Sequence, residues 1–323
     1  MERTTAKKNK YEIDMCNGTI MDKLISFSLP LMLSGILQLM FNAVDIIVVG
    51  RFSGSQALAA VGSTSALINV FTNLFIGISL GANVLTARFY AAGREKEVSE
   101  TVHTAITLAL VSGIIMALVG LVFSRGALAL MGTPDDVIGL SALYMRIYFL
   151  GMPFFMLYNY GAAILRAVGD TKRPLLFLMI AGVINACLNM VLVIVFKLGV
   201  AGVAIATVIS QMISCVLVLR CLCRSESSYR LRFSELGMKG YYLKQIFSVG
   251  VPAGIQSTVI NFSNVLLQSS VNSFGSAHMS GSAAASSIEG FCYISMNSFH
   301  QTTLNFCGQN YGAGDFKRIK RIT

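Results

Sequence analysis

Apolar and polar residues fall in long blocks along this chain rather than alternating at short period. Leu175–Phe196, for example, runs for 22 residues without a charge, and such blocks are separated by shorter segments rich in Lys, Arg and Gly. About 20 residues of helix cross a bilayer core. The pattern predicts eight membrane-spanning helices, near 24–50, 56–80, 100–123, 141–163, 174–196, 200–222, 245–272 and 283–306. The first is longer than a span needs, so it is expected to start as a tilted or interfacial helix. Pro30 and Pro252 are expected to begin their helices, and Pro153, after Gly151, to bend or break the fourth span. Gly77 and Gly81 lie one helical turn apart near the end of the second span, a spacing that allows close packing.

The pattern also repeats. Phe27–Phe52 resembles Ser248–Phe274 at a shift of 222, pairing Pro30 with Pro252, Asn42 with Asn264 and Phe52 with Phe274. Further on, Tyr90–Gly93 answers Tyr311–Gly314 at a shift of 221, and Lys96 answers Lys317. Two such copies point to two similar lobes. The expected organisation is a tail at 1–23, a first lobe of six helices at 24–222, a linker at 223–244, and the first two helices of a second lobe at 245–323. By symmetry about four further helices are absent, either because the chain is a fragment of a twelve-helix protein or because it is truncated; comparable halves favour a fragment. Six helices per copy give both copies the same orientation, a parallel repeat. In a very apolar chain, two lobes suggest a transporter with its pathway between them.

Composition narrows the class. The chain is 54% hydrophobic and 12% charged, with a mean hydropathy of +0.68, whereas soluble domains are nearer a quarter charged. An all-α polytopic membrane protein follows. Of the 25 Lys and Arg residues, all but Arg51, Arg125, Arg146 and Lys197 fall in the tail, the second, fourth and sixth connections, and the C-terminal end. This positive-inside pattern places the N-terminus in the cytoplasm of a multi-pass cell-membrane protein. The first 23 residues lack a signal-peptide cleavage pattern. The net charge of +10 is then an effect of topology, and no module that reads nucleic acid accompanies it.

Little in the chain suggests catalysis. Cys187, Cys215, Cys292 and Cys307 lie in or beside spans, Cys221 and Cys223 form an isolated CxC, and all seven cysteines are expected to be free thiols. His103, His278 and His300 share no ligand spacing, and no Walker loop occurs. No enzyme activity, nucleotide or other cofactor is expected, which leaves an ion gradient as the energy source.

The candidate chemistry lies within the spans, whose interiors hold two carboxylates, Asp45 and Glu289. An ionisable group at membrane depth is costly and marks function by default. Asn42 precedes Asp45 by three residues on the same helical face, and Asn185 and Asn189 share a face of the fifth span. Ser34, Gln38, Asn42 and Asp45 form a polar stripe suited to face them, and the second span adds Asn69, Thr72 and Asn73. A desolvated carboxylate holds a proton more tightly and neighbouring donors or cations reverse this, so the set suits a proton, or sodium near Asp45 with the amides as ligands. Asn185 and Asn189 are equally the kind of residue that joins membrane helices, and Glu289 lies nearer the outer surface. A substrate pocket is expected to draw on Gln38, Phe41, Asn69, Asn73, Phe154 and Tyr158, although each aromatic suits core packing equally well.

Several stretches resemble the multidrug and toxic compound extrusion (MATE) family. The first span from Pro30 to Gly50, followed by ALAAVG at 57–62, is similar to the family's first-helix signature. ILRAVGDTKRP at 164–174, the paired asparagines of NACLN, and GQNYGAGDFKR at 308–318 match further family elements in order and spacing. The resemblance covers about 20–323. It implies twelve helices in two six-helix lobes and export of organic cations against an inward flow of protons or sodium, by a protein that works as a monomer. It implies that Asp45 is the coupling residue and that Asn185 and Asn189 line the same pocket. Some archaeal members carry a second acid in the fifth span where this chain has Asn, so the ion stays open. A lipid-linked oligosaccharide flippase of the same superfamily and an exporter of an endogenous metabolite are the alternatives. The scarcity of Arg and Lys at mid-span favours a cationic or neutral substrate.

Overall fold

The structure, a computed structural model, describes residues 11–272 and 276–323, with side chains left out at 66 and over much of 261–288. The tail before residue 11, the Asn264 side chain and Phe274 therefore lie outside the described residues. Those residues form helices and no strand. They are α1 (Ile20–Phe52), α2 (Ser55–Ala91), α3 (Glu95–Leu130), α4 (Asp135–Leu150), α5 (Met152–Ala167), α6 (Lys172–Asn189), α7 (Gly199–Cys223), α8 (Gly240–Asn272), α9 (Ser276–Gly312) and the short α10 (Phe316–Ile322). α6 continues as a π-helix over Met190–Val195.

Eight of the expected segments are occupied, but not all in the expected form. Five described helices are long and apolar enough to cross a membrane, or six if the bent α4–α5 pair is one span; α8 and α9 are not among them. The fourth span is broken at Gly151 by a 48° bend, with Pro153 in the first turn of α5, as its sequence predicts. Pro30 and Pro252, in contrast, lie inside α1 and α8 rather than at their starts. The lead-in before each proline is helical because its missing N–H removes only one bond from a ladder that neighbouring helices support. α2 and α9 are each 37 residues long, beyond the predicted spans. They extend until a turn stops them, and that turn is the repeated motif. Gly93 and Gly314 have φ of +70° and +77°. After each, the next amide closes back onto the helix, Arg94 N–H to Phe89 O at 3.1 Å and Asp315 N–H to Asn310 O at 2.9 Å. This is a Schellman-type end, and glycine supplies the left-handed residue that it requires.

α2 is the axis of the packing. It contacts α3, α4 and α5 on one side and α8 and α9 on the other. Its contact with α8 is backbone to backbone. A Cβ on Gly77 would stand 2.2 Å from Gly254 Cα, and one on Gly81 would stand 2.2 Å from Ile246 O. The close approach predicted from the spacing of Gly77 and Gly81 is therefore what the pair provides. Where α2 meets α9 and α5, Asn83 Nδ2 donates to Asn305 Oδ1 at 2.9 Å and to the Ala163 carbonyl at 2.7 Å. Asn83 and Asn305 are separated by the repeat shift itself. The main core gathers α2 to α5 and α7 around buried Phe149, Met152, Met156 and Tyr160. One end of the bundle collects residues 11–19, the α2–α3 turn, the α5–α6 loop, the α7–α8 linker and the α9–α10 turn. There the linker docks through Arg232 N–H to His103 Nε2 at 3.0 Å, while His103 Nδ1 bonds the Ser99 carbonyl at 2.6 Å, which fixes the tautomer.

Candidate functional site

α1 and α6 pack so that three of the residues singled out by sequence meet. Asn189 is fully buried, and its amide nitrogen donates to Asp45 Oδ1 and, at 3.1 Å, to Asn185 Oδ1. Both partners are acceptors, which sets the orientation of the amide. Its own oxygen therefore faces away, buried and without a partner. Asn185, also buried, reaches Thr207 Oγ1 of α7 at 3.5 Å, and that hydroxyl donates to Val203 O at 3.0 Å.

Local structure holds the cluster in place. Phe41 lies one turn before Asp45, and its ring fills the space over Gly182, where a Cβ would stand 1.8 Å from the ring. This contact clamps α1 to α6 beside the Asp45–Asn189 bond. Immediately after Asn189 the helix widens into the π-turn, an irregularity that often marks functional sites. Tyr144 and Tyr148 of α4 stack at 6.2 Å. Gln211 of α7 hydrogen-bonds Tyr148 and leaves its own Oε1 buried without a partner.

The donor set is all oxygen: a carboxylate, amide carbonyls and hydroxyls. Asp45 has no Lys or Arg among the groups acting on it. Such a set suits a proton or a hard cation and offers nothing to a soft transition metal. Among the described residues no group of His, Cys, Asp or Glu is arranged to hold a metal ion, and all seven cysteines are unbridged.

The other predicted residues are placed as follows. Gln38, Asn42 and Asn69 are exposed, Asn73 is partly buried, and among the described residues none of them bonds to the cluster. Phe154 is partly buried and packs on the core, and Tyr158 donates its hydroxyl to Pro174 O at 3.2 Å. Glu289 is exposed on α9, outside the cluster. Thr207, Gln211, Tyr144 and Tyr148 were not anticipated. Thr207 and Gln211 did carry a signal: they lie one turn apart in a span whose other polar residues are Ser210, Ser214 and, at its end, Arg220.

Comparison with known proteins is consistent with this architecture. The MatE family profile matches residues 30–191 and 252–323. The probable multidrug resistance protein YoeA of Bacillus subtilis (strain 168) is 34% identical over 305 residues, covering 92% of this chain and 65% of YoeA. The probable multidrug resistance protein YpnP of the same organism is 29% identical over 307 residues, covering 95% of this chain and 68% of YpnP. The chain thus spans about two thirds of the length of these relatives. A MOP superfamily transporter from Pyrococcus furiosus superposes with a TM-score of 0.89 at 22% identity, covering 98% of this chain and 70% of that one. The outward-facing conformation of a multidrug resistance MATE family transporter gives 0.89 at 21%, covering 98% and 70%. With the family profile matched over most of its length, the chain belongs to the MatE family and has the fold of its solved members.

Proposed function

We propose that this chain is the larger part of a secondary transporter that exports small organic cations in exchange for protons or sodium, by alternating access between two parallel six-helix lobes. The first lobe is 24–222, the linker 223–244, and 245–323 opens the second lobe. The N-terminus, the α2–α3 turn and the linker face the cytoplasm, a reading that the placement of Lys and Arg supports. The transporter works as a monomer.

The observation that carries this reading is the Asp45–Asn189–Asn185–Thr207 cluster. A carboxylate at membrane depth is costly unless something uses it. Here its partner is the Asn189 amide nitrogen, and that amide's own oxygen is buried without a partner, an acceptor available to an arriving cation. Asp45 is the residue that exchanges the coupling ion, with Asn185, Asn189 and Thr207 around it; Asn42 and Glu289 stand as outlying candidates. The substrate cavity draws on the exposed Gln38, Asn42 and Asn69 and on Asn73. Phe41, Phe154 and Tyr158 border it while packing the lobe. The pairing of Asn83 with Asn305, one repeat apart, supports a pseudo-twofold relation between lobes.

The test is uptake of a fluorescent organic cation by proteoliposomes of the complete protein, with proton and sodium gradients imposed separately. Accumulation driven by one of the two gradients supports the proposal. Accumulation that ignores both gradients refutes it.

A further inference from the structure

The segment between residue 11 and α1 makes more specific contacts than a tail needs. Its first half binds elements of the first repeat. Glu12 accepts from the Tyr90 hydroxyl at 2.9 Å and from the Tyr229 hydroxyl at 2.7 Å, which joins the end of α2 to the linker. Ile13 N–H donates to Gly169 O at 3.1 Å. Gly169 has φ +100°, and a Cβ there would stand 2.5 Å from Ile13 O, so the α5–α6 loop is shaped to receive this backbone. The Arg173 guanidinium lies 5.5 Å from the Tyr11 ring centroid.

Its second half bridges the base of α1 and the second repeat. The Met15 side chain is fully buried in a small separate core with Phe27, Leu31 and Phe306. The Met15 carbonyl accepts from Asn310 Nδ2 at 3.1 Å and from Arg318 Nε at 3.2 Å, and the Asn17 carbonyl accepts from Arg318 Nη2 at 3.2 Å. Lys23 Nζ ties the segment to the base of α1 through the carbonyls of Asp14 (2.7 Å) and Asn17 (2.6 Å). Burial holds the Tyr229 hydroxyl above its ordinary pKa, so it remains a donor to Glu12.

Resting on the two-lobe reading above, we propose that residues 11–17 are a strap that fastens the two repeats together on the cytoplasmic face, and that its second half must leave the Phe306–Asn310–Arg318 surface before the cavity opens to the cytoplasm. The contacts have the form such a device needs. One half is anchored to the first repeat by a charge-assisted pair of hydroxyl bonds. The other half is held by a single buried side chain and bonds to backbone carbonyls, which water can replace. A strap of this kind shifts the balance between two arrangements without touching substrate or ion.

The experiment uses the complete protein without native cysteines, in nanodiscs, with paired spin labels. One pair, at Arg94→Cys and Lys320→Cys, spans the repeats from exposed positions; a second, at Arg94→Cys and Lys172→Cys, stays within the first repeat. Glu12→Ala with Met15→Ser loosens the strap from its own side, and Arg318→Ala loosens it from the other. In both variants the long-distance population of the first pair should rise at least fivefold, because one net hydrogen bond is worth about that factor and each variant removes at least two bonds, while the second pair stays unchanged. Identical distributions in wild type and both variants, while the wild type still shifts with pH, sodium or organic cation, overturn the strap and leave the two-lobe reading standing. A first-pair distance that never changes in any protein under any condition overturns both. A change in the second pair as large as in the first means that the segment only holds the first repeat folded, and overturns the gating role.

Discussion

The crossing of α2 and α8 offers a sharp test of how the two repeats are held together. In Gly77→Ala the new methyl would stand 2.2 Å from Gly254 Cα and 2.4 Å from Gly254 N, both backbone atoms that cannot rotate away. Ordinary contact begins near 3.4 Å, so the helices must separate by roughly 1 Å along this line or bend locally. Overpacking of this kind costs about 1–3 kcal/mol, against a gain of about 0.5–1 kcal/mol because alanine is the better helix former. The net loss is about 0–2.5 kcal/mol, centred near 1 kcal/mol. Gly126→Ala in α3 is the control, because a Cβ there meets nothing within 4 Å; the helix-propensity gain should act alone and raise stability slightly. Thermal unfolding of the purified protein in detergent, read by intrinsic fluorescence or dye labelling of buried cysteines, should show Gly77→Ala shifted down and Gly126→Ala level or shifted up. Two substitutions that shift in the same direction by the same amount would refute the backbone contact.

Other consequences follow from the same geometry. Gly93→Ala and Gly314→Ala each place an alanine at positive φ; each should destabilise by about 1 kcal/mol, equally in both repeats, as measured by the same thermal shift. Asn189→Leu removes the donor to Asp45 while keeping the volume; export driven by an ion gradient should fall at least tenfold with surface expression unchanged, as judged by proteoliposome uptake and immunoblot. A cysteine at Lys172 or Arg232 should react with a membrane-impermeant maleimide in inverted vesicles and stay unreactive in intact cells, because both lie on the Lys- and Arg-rich side.

Much of this fold is legible in the residues, for reasons that can be named. Most of the spans declare themselves because a bilayer demands long uncharged runs, and the Tyr90–Gly93 and Tyr311–Gly314 segments because they recur at the repeat shift. Asp45, Asn185 and Asn189 stand out because polar groups at that depth are rare, and helical spacing places the two amides on one face. What stayed hidden depended on neighbours. Nothing local tells that Phe41 fills the space over Gly182 or that a π-turn begins at Met190. Pro30 and Pro252 suggested helix starts because proline usually marks one, yet packing carries the helices through them. The strap was illegible for another reason: residues 11–17 are a short stretch of mixed polar and apolar residues, and their partners lie as much as 303 positions away.

The central claim is that Asp45 exchanges the coupling ion as the organic cation binds. Binding of a fluorescent cation to the purified complete protein, titrated across pH and across sodium concentration, tests it most directly in wild type and Asp45→Asn. Wild-type affinity should fall as the coupling ion is raised, and the cation should weaken ion binding by the same factor, since coupling between two ligands is reciprocal. Asp45→Asn, which keeps the size of the side chain and removes its charge, should bind the cation with an affinity that no longer responds to either ion. An Asp45→Asn protein whose cation affinity still varies with pH or sodium as the wild type's does would place the exchange site elsewhere.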